Sequence, residues 1–126
     1  VTEGFFPATL TVKAGDTVTF VNNERAPSWP ASNRHPIHTD YKADYSRGRQ
    51  YLGSQACIGE GLPKPNTFDP CDEIQPGQTW SVTLNEPGQW QYHDHINPTF
   101  GGLIIAVNSS IPNIPRLLIV NVLPDI

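Results

Sequence analysis

Between Thr9 and Asn22 the chain reads TLTVKAGDTVTFVN, two runs in which β-branched and apolar residues alternate with polar ones around Lys13-Ala14-Gly15-Asp16. Alternation with a period of two buries one side of a pleated strand, and the Gly-Asp pair supplies turn chemistry. The segment therefore predicts strand, turn, strand, as a β-meander or a Greek-key corner. A similar unit is expected from Glu73 to Gly88 (EIQPGQTWSVTLNEPG), with Pro76-Gly77 as the turn and Trp80, Val82 and Leu84 as an inward face. Gln89 to His95 (QWQYHDH) sets Trp90 and Tyr92 on one face of a further strand, and Gly102 to Val107 (GLIIAV) reads as a fully apolar strand. At least five strands are predicted.

From Glu24 to Pro70 strand periodicity nearly vanishes, and Pro27, Pro30, Pro36, Gly48, Gly53, Gly59, Gly61, Pro63 and Pro65 mark loops. Irregular segments of this length inside a compact domain are usually functional or tied down. After Val107 come an N-glycosylation triplet, Asn108-Ser109-Ser110, then Pro112, Pro115 and another apolar run. The expected organisation is a domain over 1–107 and an extension over 108–126, which either adds an edge strand or packs against something else.

A length of 126 residues suits one domain, and 10 Gly with 13 Pro favour many short strands over long helices. A formal charge of −4 with no basic cluster argues against nucleic acid as a partner. The apolar run Leu117 to Leu123 is broken by Asn121 and falls far short of the roughly 20 residues of a membrane span. The chain starts at Val1 and contains no Met, so a leader that is cut away or left out is expected. Cys57 and Cys71 lack C-x-x-C spacing and read as one structural disulfide closing a surface loop, a bridge worth on the order of 3 kcal/mol in an oxidising, extracytoplasmic compartment. Free thiols, or a thiolate ligand to copper, are the weaker alternatives.

Every histidine falls in one of two doublets, His35 and His38 (RHPIHTDY) or His93 and His95 (QYHDHINP). Two residues apart on a strand, His93 and His95 would share a face with Cα atoms roughly 6.6 Å apart, close enough to lean on one ion. Pro36 biases His35 to extended geometry, and a tight turn there would bring His38 round to the same side. Two pincers of imidazoles make a borderline donor set, suited to copper, zinc, nickel or iron, with Cu(II) highest in general affinity. Asp94 would point to the opposite face. It reads first as a hydrogen-bonded structural carboxylate or an outer acceptor for a ligand imidazole, and second as a ligand. Asp40 and Tyr41 read first as residues of a solvated loop and second as outer groups of the site, and Trp29, in the same loop as the first doublet, is a candidate water shield. No nucleophile, phosphate-loop or paired-carboxylate motif is present.

Gly4 to Pro27 (GFFPATLTVKAGDTVTFVNNERAP) and Ile74 to Val107 (IQPGQTWSVTLNEPGQWQYHDHINPTFGGLIIAV) resemble the opening and closing halves of the cupredoxin, or plastocyanin-like, family. The resemblance implies an all-β Greek-key β-sandwich, here with a long loop insertion over about residues 24–72, and a copper site at one end. The departures are specific. Where a blue-copper member takes its first His after an NN-x-x-x-P segment this chain has Ser28, its Cys position falls on Asp94, and there is no Met. YHDHINPTFGGL is similar to the His-Cys-His closing motif of multicopper oxidases with Asp94 in place of Cys, which implies copper of the non-blue kind. The HPxH and YHDHxNP pair resembles a group of small secreted cupredoxin-like proteins.

The leading expectation is therefore a secreted or periplasmic copper-binding module with an all-histidine mononuclear site, His35, His38, His93 and His95. Acquisition, buffering or delivery of copper, with a copper-donor or copper-acceptor protein as partner, fits better than electron transfer. The alternatives are a small redox enzyme using an open copper position on oxygen, superoxide or nitrite, and a zinc-stabilised structural or interaction domain.

Overall fold

The computed structural model describes residues 4–33, 68–108 and 118–123. Their strands are β1 (Gly4–Phe6), β2 (Thr9–Lys13), β3 (Thr17–Asn22), β4 (Pro30–Ser32), β5 (Thr79–Thr83), β6 (Gly88–Asp94), β7 (Gly101–Val107) and β8 (Ile119–Leu123). Two four-stranded sheets result, in the orders β1-β8-β3-β5 and β2-β7-β6-β4. The fold is the expected all-β sandwich, and no helix occurs among the described residues.

The strands on either side of Lys13-Ala14-Gly15-Asp16 do not pair with each other: β2 lies in one sheet and β3 in the other, so the turn is a corner of the sandwich. Asp16 closes it by accepting from the Lys13 amide at 2.8 Å through Oδ2 while its own amide donates to the Lys13 carbonyl at 2.9 Å. Gly15 sits at φ 97°, a conformation that a side chain would strain. The corner lets Val12 and Val18, both fully buried, face one core from two sheets.

The Glu73 to Gly88 segment keeps only half of its expected form. Val82 and Leu84 are buried on the face predicted, but Ile74 makes just an isolated bridge with Ser28 and strand structure starts at Thr79. Ser28 takes both backbone groups of Ile74, at 2.7 and 3.0 Å, which ties this segment to the loop leading into β4. β4 itself lies in the stretch read as loop. Pro, Ala and Ser carry little strand propensity, and these three residues are held by pairing with β6 and by burial of all three. The chain after Val107 supplies β8, which takes an interior position, antiparallel to β1 and parallel to β3, rather than an edge. Val120 and Val122 are fully buried there.

Aromatic rings fill the core. Tyr92 packs against Phe5 at 4.8 Å, Phe20 at 5.4 Å and Phe68 at 5.2 Å between ring centroids. Its cross-strand partner is Gly102, where an added methyl group would overlap the Tyr92 ring and hydroxyl. Burial raises the Tyr92 phenol above the ordinary tyrosine range, and among the described residues its hydroxyl has no hydrogen-bond partner. The ring thus sits where it does for packing. Gly102→Ala is expected to destabilise the protein by about 1–3 kcal/mol, because Tyr92 must leave its rotamer in a filled core. Thermal unfolding would check this, and an unchanged midpoint would mean that the core can give way around the ring.

Candidate metal centre

The end of β6 carries the second histidine doublet. Pairing with β4 sets Pro30 opposite Asp94 and Ala31 opposite His93, and pairing with β7 sets His93 opposite Gly101. His95 lies one residue beyond the strand, so the doublet straddles its end. The ladder still reaches it, since the His95 amide donates to the Trp29 carbonyl at 2.7 Å. The β6–β7 loop is then closed by the Asp94 amide on the Phe100 carbonyl and the Phe100 amide on the Asn97 carbonyl, both at 2.9 Å.

Alternation along β6 turns Tyr92 and Asp94 inward and His93 to the other face. Asp94 is only 1% exposed, and its carboxylate is saturated with donors. Ser28 Oγ donates to Oδ2 at 2.9 Å, and the Trp29 and Ile96 amides both donate to Oδ1 at 3.0 Å. These bonds join the β3–β4 loop to the β6–β7 loop. A second anchor lies behind them: Asn22, fully buried, donates through Nδ2 to the Ala26 and Ile74 carbonyls and accepts the Glu24 amide through Oδ1, fixing the turn that delivers Ser28 and Trp29.

His93 is 5% exposed, and its Nδ1 lies 2.8 Å from Asn33 Oδ1. His95 is partly exposed and has Trp29 against it, ring centroids 4.7 Å apart and tilted by 51°. The indole is held in turn by Asp69, whose Oδ1 accepts from Trp29 Nε1 and from the Cys71 amide, each at 2.8 Å. Trp29 is therefore a wall against one side of the His95 ring. Neither Asn33 nor Asp69 stands out in the sequence, because each is an ordinary loop residue until the sheets bring it to the histidines.

His35, His38, Asp40, Tyr41 and Cys57 lie outside the described residues. Among the described residues no group of three or more His, Cys, Asp or Glu side chains gathers where one ion could be held. What is assembled is one pair of imidazoles, each with a neighbour that sets its orientation.

No family model matches the chain. Chloroplastic plastocyanin of Chlamydomonas reinhardtii is 30% identical over 89 residues, covering 71% of this chain and 47% of that protein, so the chain spans about half the length of this relative. Among solved structures, a reduced amicyanin variant aligns with a TM-score of 0.51 at 21% identity over 79% of this chain and 70% of its own. The purple cupredoxin of Nitrosopumilus maritimus aligns with a TM-score of 0.50 at 17% identity over 80% and 79%. At these identities the structural matches establish the fold, which is that of the cupredoxins. With the plastocyanin match they support a cupredoxin relationship for this chain.

Proposed function

We propose that this protein is an extracytoplasmic copper-binding protein whose metal is held by His35, His38, His93 and His95 in a mononuclear, non-blue site, and that it serves copper acquisition, buffering or delivery. The observation that carries the reading is the bond between Ser28 and Asp94. These residues stand where the cupredoxin resemblance puts the first His and the Cys. Here they satisfy each other, and the carboxylate is filled by two amides besides. A metal at that inner position would have to displace three hydrogen bonds. The histidines on either side of Asp94 offer imidazole nitrogens instead, which are good ligands for Cu(II). Copper is supported further by relatives of the same fold, one of them an amicyanin variant whose structure is that of a Cu(I) form.

A hydrogen-bonded His93 imidazole and a tryptophan wall beside His95 favour firm holding of an ion, and no thiolate is available at the Asp94 position for the strong covalency of blue sites. Protein carrying one equivalent of Cu(II) should therefore show weak visible absorption only. An intense charge-transfer band would make a cysteine a ligand and overturn the assignment. Copper affinity should fall as pH drops through about 6.5, because protonated imidazoles compete with the metal. The accompanying Cys57–Cys71 bridge should leave no thiol to titrate in denatured, unreduced protein.

A further inference from the structure

We infer that Asn33 is a positioning residue that fixes the tautomer of His93, so that His93 binds metal through Nε2. The inference rests on the copper reading above and adds to it the ligating atom and the residue that selects it. An amide oxygen can only accept, so the 2.8 Å contact between Asn33 Oδ1 and His93 Nδ1 requires the proton on Nδ1. A neutral imidazole has one pyrrole-type and one pyridine-type nitrogen, and with Nδ1–H committed to the amide the ring's in-plane lone pair is on Nε2. The hydrogen bond also polarises the ring and raises the basicity of that nitrogen.

The backbone makes this contact specific. Asn33 follows directly on β4, its own amide donates to the Gln91 carbonyl at 3.1 Å, and Ala31 lies opposite His93 in the ladder. The side chain is therefore carried to the ring by strand pairing. Burial of His93 at 5% exposure keeps water from competing for the bond.

Nitrogen-15 NMR of the histidine rings tests the assignment in the intact protein. Metal-free wild type should show His93 protonated at Nδ1, and anaerobic addition of one equivalent of Cu(I) should move its Nε2 resonance. Asn33→Leu should mix the tautomers and weaken copper binding by about 10–100-fold, the usual cost of losing such an outer partner, whereas Asn33→Asp should restore the Nδ1–H pattern and the affinity. A His93 ring protonated at Nε2, or copper shifting Nδ1, overturns the proposal while leaving the copper reading standing. If Cu(I) moves no histidine resonance and Cu(II) broadens none, the copper reading falls and the ligating role of Nε2 falls with it. If Asn33→Leu keeps wild-type tautomer and affinity, Asn33 has no positioning role.

Discussion

Replacing His93 by alanine is expected to lower copper affinity by more than about a hundredfold, a larger loss than the 10–100-fold typical when only a ligand's outer partner is removed. Of the two candidate ligands among the described residues, His93 is the more pre-organised. It sits on a paired strand, is nearly buried, and has one ring nitrogen already committed to Asn33. The ordering cost of that ligand has been met in folding, so its loss removes binding that the other imidazoles cannot recover. His95→Ala should come close behind, because the Trp29 wall and the amide bond to the Trp29 carbonyl orient it without burying it. Equilibrium competition against a copper chelator measures both. An affinity within twofold of wild type for His93→Ala would remove this residue from the site.

Asp94→Ala is expected to destabilise the metal-free protein by about 3–5 kcal/mol. The substitution strands the buried Ser28 hydroxyl and the partly buried Trp29 and Ile96 amides; a buried donor left without a partner costs about 1–3 kcal/mol, and the two amides, which water can reach in part, add less each. Asp94→Asn keeps an acceptor and should cost clearly less. Urea denaturation without metal separates the two roles open to this carboxylate. If Asp94→Ala unfolds like wild type in the absence of metal and loses only copper, Asp94 is a ligand and not a structural link between loops.

The strands that the alternating pattern announces, β2, β3, β5 and β6, were legible because each exposes a face to a single core and so repeats every second residue, and β7 was legible because its run is apolar throughout. β4 was not, since Pro30, Ala31 and Ser32 are buried together by their neighbours and show no alternation of their own. The interior position of β8 was equally hidden: periodicity identifies a strand but carries no information about which strands flank it. At the candidate site the residues that bear donor chemistry, His93, His95 and Asp94, could be picked out from type and spacing. Their supports could not. Asn33, Asp69 and Ser28 reach them across 60, 40 and 66 residues of sequence in the contacts His93–Asn33, Trp29–Asp69 and Ser28–Asp94. Such contacts exist only once the two loops meet at one end of the sandwich.

The claim that all else rests on is that the two histidine doublets hold one copper ion together at a site without thiolate. Electron paramagnetic resonance of the wild-type protein titrated with Cu(II), read alongside bound copper per chain, tests it most directly. The account predicts one tightly held ion per chain, a single signal with the wide parallel hyperfine splitting of a non-blue centre, and nitrogen couplings that disappear in part when His35 and His38 are both replaced by alanine. Two independent copper signals, a narrow splitting of the blue-copper kind, or a spectrum and affinity unchanged by the double replacement would contradict it.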